Sequence, residues 1–335
     1  GYKFHNIMSI LVYEYFLGQK LNNSFSSAML KEAKLMVGAI ADDLKKYYPA
    51  DNISLLINKE YKNIFENHAL VERNYKKNIC EEIISYRNDF EKVIIIAPEE
   101  DNILYEIINK LEKNGIKTIN CNSDFIKIST NKLEMNNYLT KSLHVKNNMI
   151  KTCLTYKELQ KNQKIVAKIV DGVGSENLFI FKDRVELEKN KKLITIDHIF
   201  QEFIEGNIVG INIISNGKNF SIISINEQMY KRISKYQIVL ESINIGKFNH
   251  MHDSFKVFVE NILGNFKGSY GFIGIDAIVT KENKIMFLEI NPRFTTSYIG
   301  LSKSLNFNPF KVLFNEKFSF NIENNEIFIE DINCG

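Results

Sequence analysis

The sequence predicts a parallel α/β domain at the N-terminal end, followed by an α+β domain made of two lobes. Three observations predict it. Strand-like and helix-like periods alternate over residues 8–125, from Ser129 onward paired strands replace that alternation, and 335 residues with 44% hydrophobic content hold more than one core.

Residues 9–16 (SILVYEYF) read as a buried strand. Residues 26–46 carry Met29, Ala33, Leu35, Met36, Ile40 and Leu44 at helical spacing. Residues 53–57 give a short second strand, and residues 79–86 an amphipathic stretch. Val93 to Ala97 is a β-branched run stopped by Pro98, as in a central parallel strand buried on both faces. A helix over 102–114 ends at Gly115, and residues 117–121 return as a strand. In the second half a helix starts at Ser129 or Thr130, either of which can cap it. Residues 164–182 read as two strands around the glycine-containing segment 171–176 (DGVGSE). Strands at 207–215 and 219–225 flank Asn216-Gly217, a strong hairpin signal. A helix over 254–265 leads into a second hairpin, 275–280 with 285–291, around Glu282-Asn283. The expected units are 8–125, 126–200 and 201–335.

Composition removes several function classes. Charged residues make up 25%, which excludes a largely disordered chain. Lys+Arg 43 against Asp+Glu 40 leaves only +3, with no basic arm to wrap nucleic acid. Cys80, Cys121, Cys153 and Cys334 have no CxxC or CxxH spacing, so free thiols in a cytoplasmic protein are expected. No apolar run approaches the roughly 18 residues of a membrane span, and no signal peptide is visible. The opening GYKFHNI lacks an initiator Met, so residues 1–7 are expected to be foreign to the native chain.

The second hairpin is the most informative segment. Pairing symmetric about Glu282-Asn283 sets Thr280 against Ile285 and hence Asp276 against Glu289, with Cβ atoms roughly 5 Å apart. Asn291 projects from the same face. Two facing carboxylates repel unless a cation lies between them or the face is merely exposed. With Asn291 they offer the oxygen donors that suit Mg²⁺ beside phosphate. On this reading Glu289→Gln leaves the metal-free protein as stable as before, or slightly more so.

Gly172, Gly174 and Ser175 follow an apolar run and suit the approach of backbone amides to phosphate, although a plain turn has the same composition. Neither a GxxxxGK[ST] loop nor a complete GxGxxG fingerprint is present. Lys168 sits within that apolar run and needs either an anionic partner or an exposed face. Residues 200–206 (FQEFIEG) read as an extended connector, and His250 and His252 as solvated.

These pieces occur in the order found in the ATP-grasp superfamily of carboxylate–amine ligases, which the chain resembles over about 120 to 310. Lys132, Lys168, Gln201-Glu202-Phe203-Ile204, Asp276, Glu289 and Asn291 match its nucleotide and metal positions. The run 289–301 (EINPRFTTSYIGL), the opening 11–16 (LVYEYF) and 96–99 (IAPE) look like the archaeal tyramine–glutamate ligases of methanofuran biosynthesis. Two departures stand out: Asn131 where relatives commonly have Asp, and Asn207-Ile208 where an acidic ribose ligand often stands, leaving Glu205 as a substitute.

The resemblance implies an ADP-forming ligase using ATP and Mg²⁺ or Mn²⁺, working as monomer or homodimer on small molecules without nucleic-acid or membrane partners. Asp276, Glu289 and Asn291 would hold the metal. Lys132, Lys168, Gly172, Gly174 and Ser175 would hold the phosphates, and Gln201 to Ile204 the adenine. Arg293 would clamp the carboxylate or acyl phosphate with its planar fork, with Thr295 beside it and Glu14, at a parallel strand's carboxyl end, attracting the amine. The implied substrates are the γ-carboxyl of L-glutamate and tyramine. Another amino-acid or amine ligase is one alternative. A nucleotide-binding regulator is the other, and it has less need of all three metal-binding side chains.

Overall fold

Short apolar runs alternating with helical periods build the first sheet of the computed structural model, which describes residues 8–21, 24–49, 52–172, 177–266, 268–315, 317–322 and 327–330. β1 (Ile10–Glu14) is buried throughout, and the chain then turns at once into a one-turn helix, α1 (Tyr15–Gly18). α2 (Ser27–Tyr47) begins where Ser26 accepts a hydrogen bond from the Met29 amide. It buries the stripe Ala33, Met36, Val37, Ile40 and Leu44 against the sheet. β2 (Ile53–Ile57), β3 (Ala69–Glu72), α3 (Ile79–Ser85), β4 (Lys92–Ile96) and α4 (Ile103–Lys113) complete the unit. The sheet order is β3-β2-β1-β4, all parallel.

The strand expected at 117–121 shrinks to a single bridge between Val93 and Thr118. Asn120 supplies the reason: its side-chain amide accepts from Ile95 N and donates to Ile95 O, doing for β4 what a neighbouring backbone would.

α5 (Ser123–Thr130) and α6 (Lys132–Thr140) bridge to the rest of the chain. The helix cap expected at Ser129 or Thr130 lies elsewhere. Asn122 caps α5, and Asn131 caps α6 by accepting from the Leu133 and Glu134 amides. Asn, like Asp, is a good N-cap, so the departure at position 131 preserves that role.

β5 (Thr152–Cys153), β6 (Ile165–Ile169), β7 (Phe179–Phe181), α7 (Arg184–Lys189) and β8 (His198–Glu202) form an antiparallel sheet in the order β5-β8-β6-β7. Residues 200–202, read as connector, are therefore the end of an inner strand. A six-stranded sheet follows from β9 (Asn207–Asn216), β10 (Phe220–Arg232), β11 (Ile238–Ile245), α8 (His252–Leu263), β12 (Tyr270–Val279), β13 (Ile285–Asn291), α9 (Tyr298–Ser304), α10 (Pro309–Phe314) and β14 (Ile327–Ile329). Its strand order is β13-β12-β9-β10-β11-β14. The Asn216-Gly217 hairpin forms, and Gly217 takes the positive φ of 88° that the turn requires.

Among the described residues no helix is long and apolar enough to cross a membrane. Cys80, Cys121 and Cys153 are free thiols, and Cys334 lies outside the described residues.

Candidate active site

Asp276 and Glu289 face each other across β12 and β13, the pairing expected from the sequence. The route to it differs. The loop closes one residue earlier, with Thr280 N donating to Lys284 O at 2.9 Å and Asn283 at φ 60°. Pairs near the loop therefore run Val279↔Ile285 and Ala277↔Phe287. A bulge that leaves Leu288 unpaired then restores Asp276↔Glu289. Without it Asp276 would face Leu288, and Glu289 would point to the other face of the sheet.

Asp276 Oδ2 accepts from Asn291 Nδ2 at 3.1 Å, and Oδ1 from Gln228 Nε2 at 2.9 Å. Lys132, the first residue of α6, places Nζ 3.5 Å from Glu289 Oε2 and 2.7 Å from Gly172 O. Its backbone N donates to Val170 O, which ties the start of α6 to the end of β6. Lys168, in β6, is buried, and burial pulls its ammonium down to about 8 while Glu289 resists.

The two carboxyls divide unequally. Burial and the neighbouring Glu289 push Asp276 up to about 7. Burial also acts upward on Glu289, but Lys132, Lys168 and the hydrogen bond from Asp276 hold it below the usual range. The expected repulsion is thus relieved without metal, by two lysines and a proton. Glu289 faces buried ammonium groups, which argues against the neutrality expected for Glu289→Gln and makes Asp276 the surplus acid.

A cleft of about 940 Å³ opens between the two antiparallel sheets. Lys132, Lys168, Gly172, Gln201, Glu202, Phe203 and Ile204 line it, with apolar walls from Ile180, Ile238 and Ile278. Gln201 is buried and its Nε2 donates to Thr152 Oγ1 at 2.7 Å. That bond holds the side chain in place while the residue, with 202–204, lines the cleft. Gly174 and Ser175 lie outside the described residues. Glu205 is exposed, 3.9 Å from Lys281.

A second cleft, of about 640 Å³, is walled by Asn212, Asn226, Gln228, Asn291, Arg293 and Thr295. Arg293 Nε donates to Glu99 Oε2 at 2.7 Å and Nη1 to Phe294 O at 2.9 Å. Part of its fork is thereby committed to the loop after β4. Thr295 Oγ1 donates to Asn212 Oδ1 at 3.0 Å. Glu14 is not brought to this assembly. It lines neither cleft, its Oε2 accepts from Leu17 N at 2.8 Å to cap α1, and burial lifts it to about 8.

Tyr230, Asp276 and Glu289 line both clefts. Sequence reasoning passed over Tyr230 and Gln228. The available signal was Gly210, a glycine inside an otherwise β-branched strand run.

Two carboxylates and an amide, with no third His, Cys, Asp or Glu grouped with them among the described residues, form a hard oxygen donor set. Such a set fits Mg²⁺ or Mn²⁺ whose remaining positions go to phosphate and water.

A family model of the ATP-grasp domain matches residues 112–297. The chain belongs to the ATP-grasp family. This ATP-grasp protein is 31% identical over 331 residues to the tyramine–L-glutamate ligase of Methanocaldococcus fervens, covering 96% of this chain and 99% of that relative. Among solved structures it resembles an ATP-grasp superfamily protein of Archaeoglobus fulgidus, with TM-score 0.67, 18% identity, and 91% and 87% of the two chains covered. It also resembles the biotin carboxylase domain of Hydrogenobacter thermophilus 2-oxoglutarate carboxylase, determined with MgADP and bicarbonate, with TM-score 0.63, 10% identity, and 91% and 72% covered. The fold is the one these two structures share. The chain is an ATP-dependent ligase that joins a carboxylate to an amine.

Proposed function

We propose that this ligase joins the γ-carboxyl of L-glutamate to the amine of tyramine, releasing ADP and phosphate. The relative's substrates support the choice, since identity extends over nearly the whole of both chains. The observation that carries the chemistry is that Tyr230, Asp276 and Glu289 are shared by the two clefts, so a phosphoryl donor in one meets an acceptor in the other.

On this reading a γ-carboxylate oxygen attacks the γ-phosphorus of ATP and ADP leaves. The amine nitrogen then attacks the acyl carbon, and phosphate departs with the former carboxylate oxygen. Lys132 and Lys168 hold phosphate oxygens, and phosphate bound there keeps Lys168 charged against the pull of burial. Asp276, Glu289 and Asn291 would hold Mg²⁺, which when bound neutralises charge on the transferring group. Arg293 holds the acidic substrate with the three N–H donors left to it, one on Nη1 and two on Nη2, because Glu99 engages Nε and Phe294 O takes one Nη1 hydrogen. Residues 201–204 border the adenine. Glu14, engaged as the cap of α1, is assigned to the fold rather than to amine recognition on this reading. The units 8–125, 126–200 and 201–335 act as substrate-side domain and two nucleotide lobes of a cytoplasmic enzyme.

Incubating the protein with ATP, Mg²⁺, glutamate and tyramine, with mass detection of the amide, tests the choice of substrates. ADP formed only with a different acid or amine would overturn it.

A further inference from the structure

Gly210 lies in the middle of β9, paired with Asp276 of β12 on one side and Asn226 of β10 on the other. A Cβ at this position would stand 2.6 Å from Gln228 Nε2 and 3.4 Å from Asp276 Oδ1. The missing side chain leaves a slot across the strand, and Gln228 uses it. Its Nε2 donates to Asp276 Oδ1 at 2.9 Å, while its Oε1 accepts from the Tyr230 hydroxyl at 3.2 Å. The Asp276 carboxylate only accepts, so the Gln228 amide must turn its N–H to Oδ1, and the Tyr230 hydroxyl, donating to Oε1, holds that orientation.

Each oxygen of Asp276 therefore accepts one amide N–H, Oδ1 from Gln228 reaching over the glycine and Oδ2 from Asn291 Nδ2 at 3.1 Å. The two partners differ in kind: Asn291 is itself assigned to the metal and would turn its oxygen to the ion, whereas Gln228 is not and keeps its hold on Oδ1.

We propose that Gln228, oriented by Tyr230 through the gap at Gly210, is a positioning residue that restricts Asp276 to one-oxygen coordination and so selects a small octahedral cation over Ca²⁺. Ca²⁺ takes six to eight oxygens and readily accepts a carboxylate through both, whereas Mg²⁺ and Mn²⁺ suit a tighter six-coordinate shell. The inference rests on the metal assignment of Asp276 made above.

The test is Mn²⁺ binding to the protein–ADP complex, followed by electron paramagnetic resonance and competed with Ca²⁺. Gln228→Leu removes the donor, and Gly210→Ala pushes it aside. Each should shift the Ca²⁺-to-Mn²⁺ affinity ratio toward Ca²⁺ by about tenfold, the lower end for a partner of a metal ligand. Metal-free ADP affinity should stay within about twofold, because neither residue lines the nucleotide cleft. The double variant should shift the ratio no further than either single one, since both break the same contact. Tyr230→Phe, which loses only one oxygen, should move it in the same direction by less, and it supplies the result if the other variants do not fold. Unchanged ratios in these variants, with Asp276→Asn weakening Mn²⁺ binding, would overturn the positioning role. Asp276→Asn without effect on Mn²⁺ binding would instead overturn the metal assignment, and the positioning role with it.

Discussion

Asp276→Asn should change how the metal-free protein responds to pH. In the fold the Asp276 carboxyl titrates near 7 against an ordinary 3.8, because burial and Glu289 both oppose its charge. Its folded value is the higher one, so proton binding favours the fold at low pH, and that contribution disappears as pH rises through about 7. Between pH 6 and pH 9 the loss from this one group is on the order of 1 kcal/mol. Glu14 titrates near 8 and adds loss of the same sign, while Lys168, lowered to about 8, acts in the opposite sense above that pH. Comparison with the variant removes these shared contributions to first order. Urea unfolding in EDTA at the two pH values, with wild type and Asp276→Asn side by side, is the assay. The variant should gain on the order of 1 kcal/mol on wild type in going from pH 6 to pH 9. An offset independent of pH would refute the view that Asp276 is the surplus acid of a proton-sharing pair.

Glu289→Gln should destabilise the metal-free protein by on the order of 3 kcal/mol, because it strips Lys168 and Lys132 of their carboxylate; equal or higher stability would restore the simple repulsion picture. Glu14→Gln should leave tyramine KM and kcat within about twofold and cost under about 1 kcal/mol, since a mostly protonated cap already resembles an amide near neutral pH; a raised amine KM in steady-state assays would put Glu14 back in the site. Glu99→Gln should loosen the hold on Arg293 Nε by removing its charged partner, let the guanidinium shift, and raise the KM for glutamate more than that for ATP, which initial-rate measurements separate.

Much of the fold was legible because its signals are local. Val93 to Ile96 could only be a buried strand, and the Ser27–Tyr47 helix announces its buried stripe by spacing alone. The Asp276–Glu289 pairing was legible too, but through two compensating details, an early turn and a bulge at Leu288, neither of which leaves a mark in residue type. The strand at 117–121 failed because one side chain, Asn120, took over the backbone's bonds. Local periodicity does not register such substitutions. Residues 200–202 gave little sign of being a strand, because their pairing partners lie up to about fifty residues away in β5 and β6. In the site, charge was readable and partnership was not. Lys168 and Glu289 stood out as singular residues, while the capture of Arg293 by Glu99 joins positions 194 residues apart.

Transfer of oxygen from the acid to phosphate tests the central chemistry most directly. With glutamate carrying ¹⁸O in its γ-carboxyl, ATP, tyramine and Mg²⁺, ³¹P NMR should show ADP together with inorganic phosphate bearing one ¹⁸O for each amide formed. Label recovered in AMP, or released phosphate without ¹⁸O, would contradict ligation through an acyl phosphate.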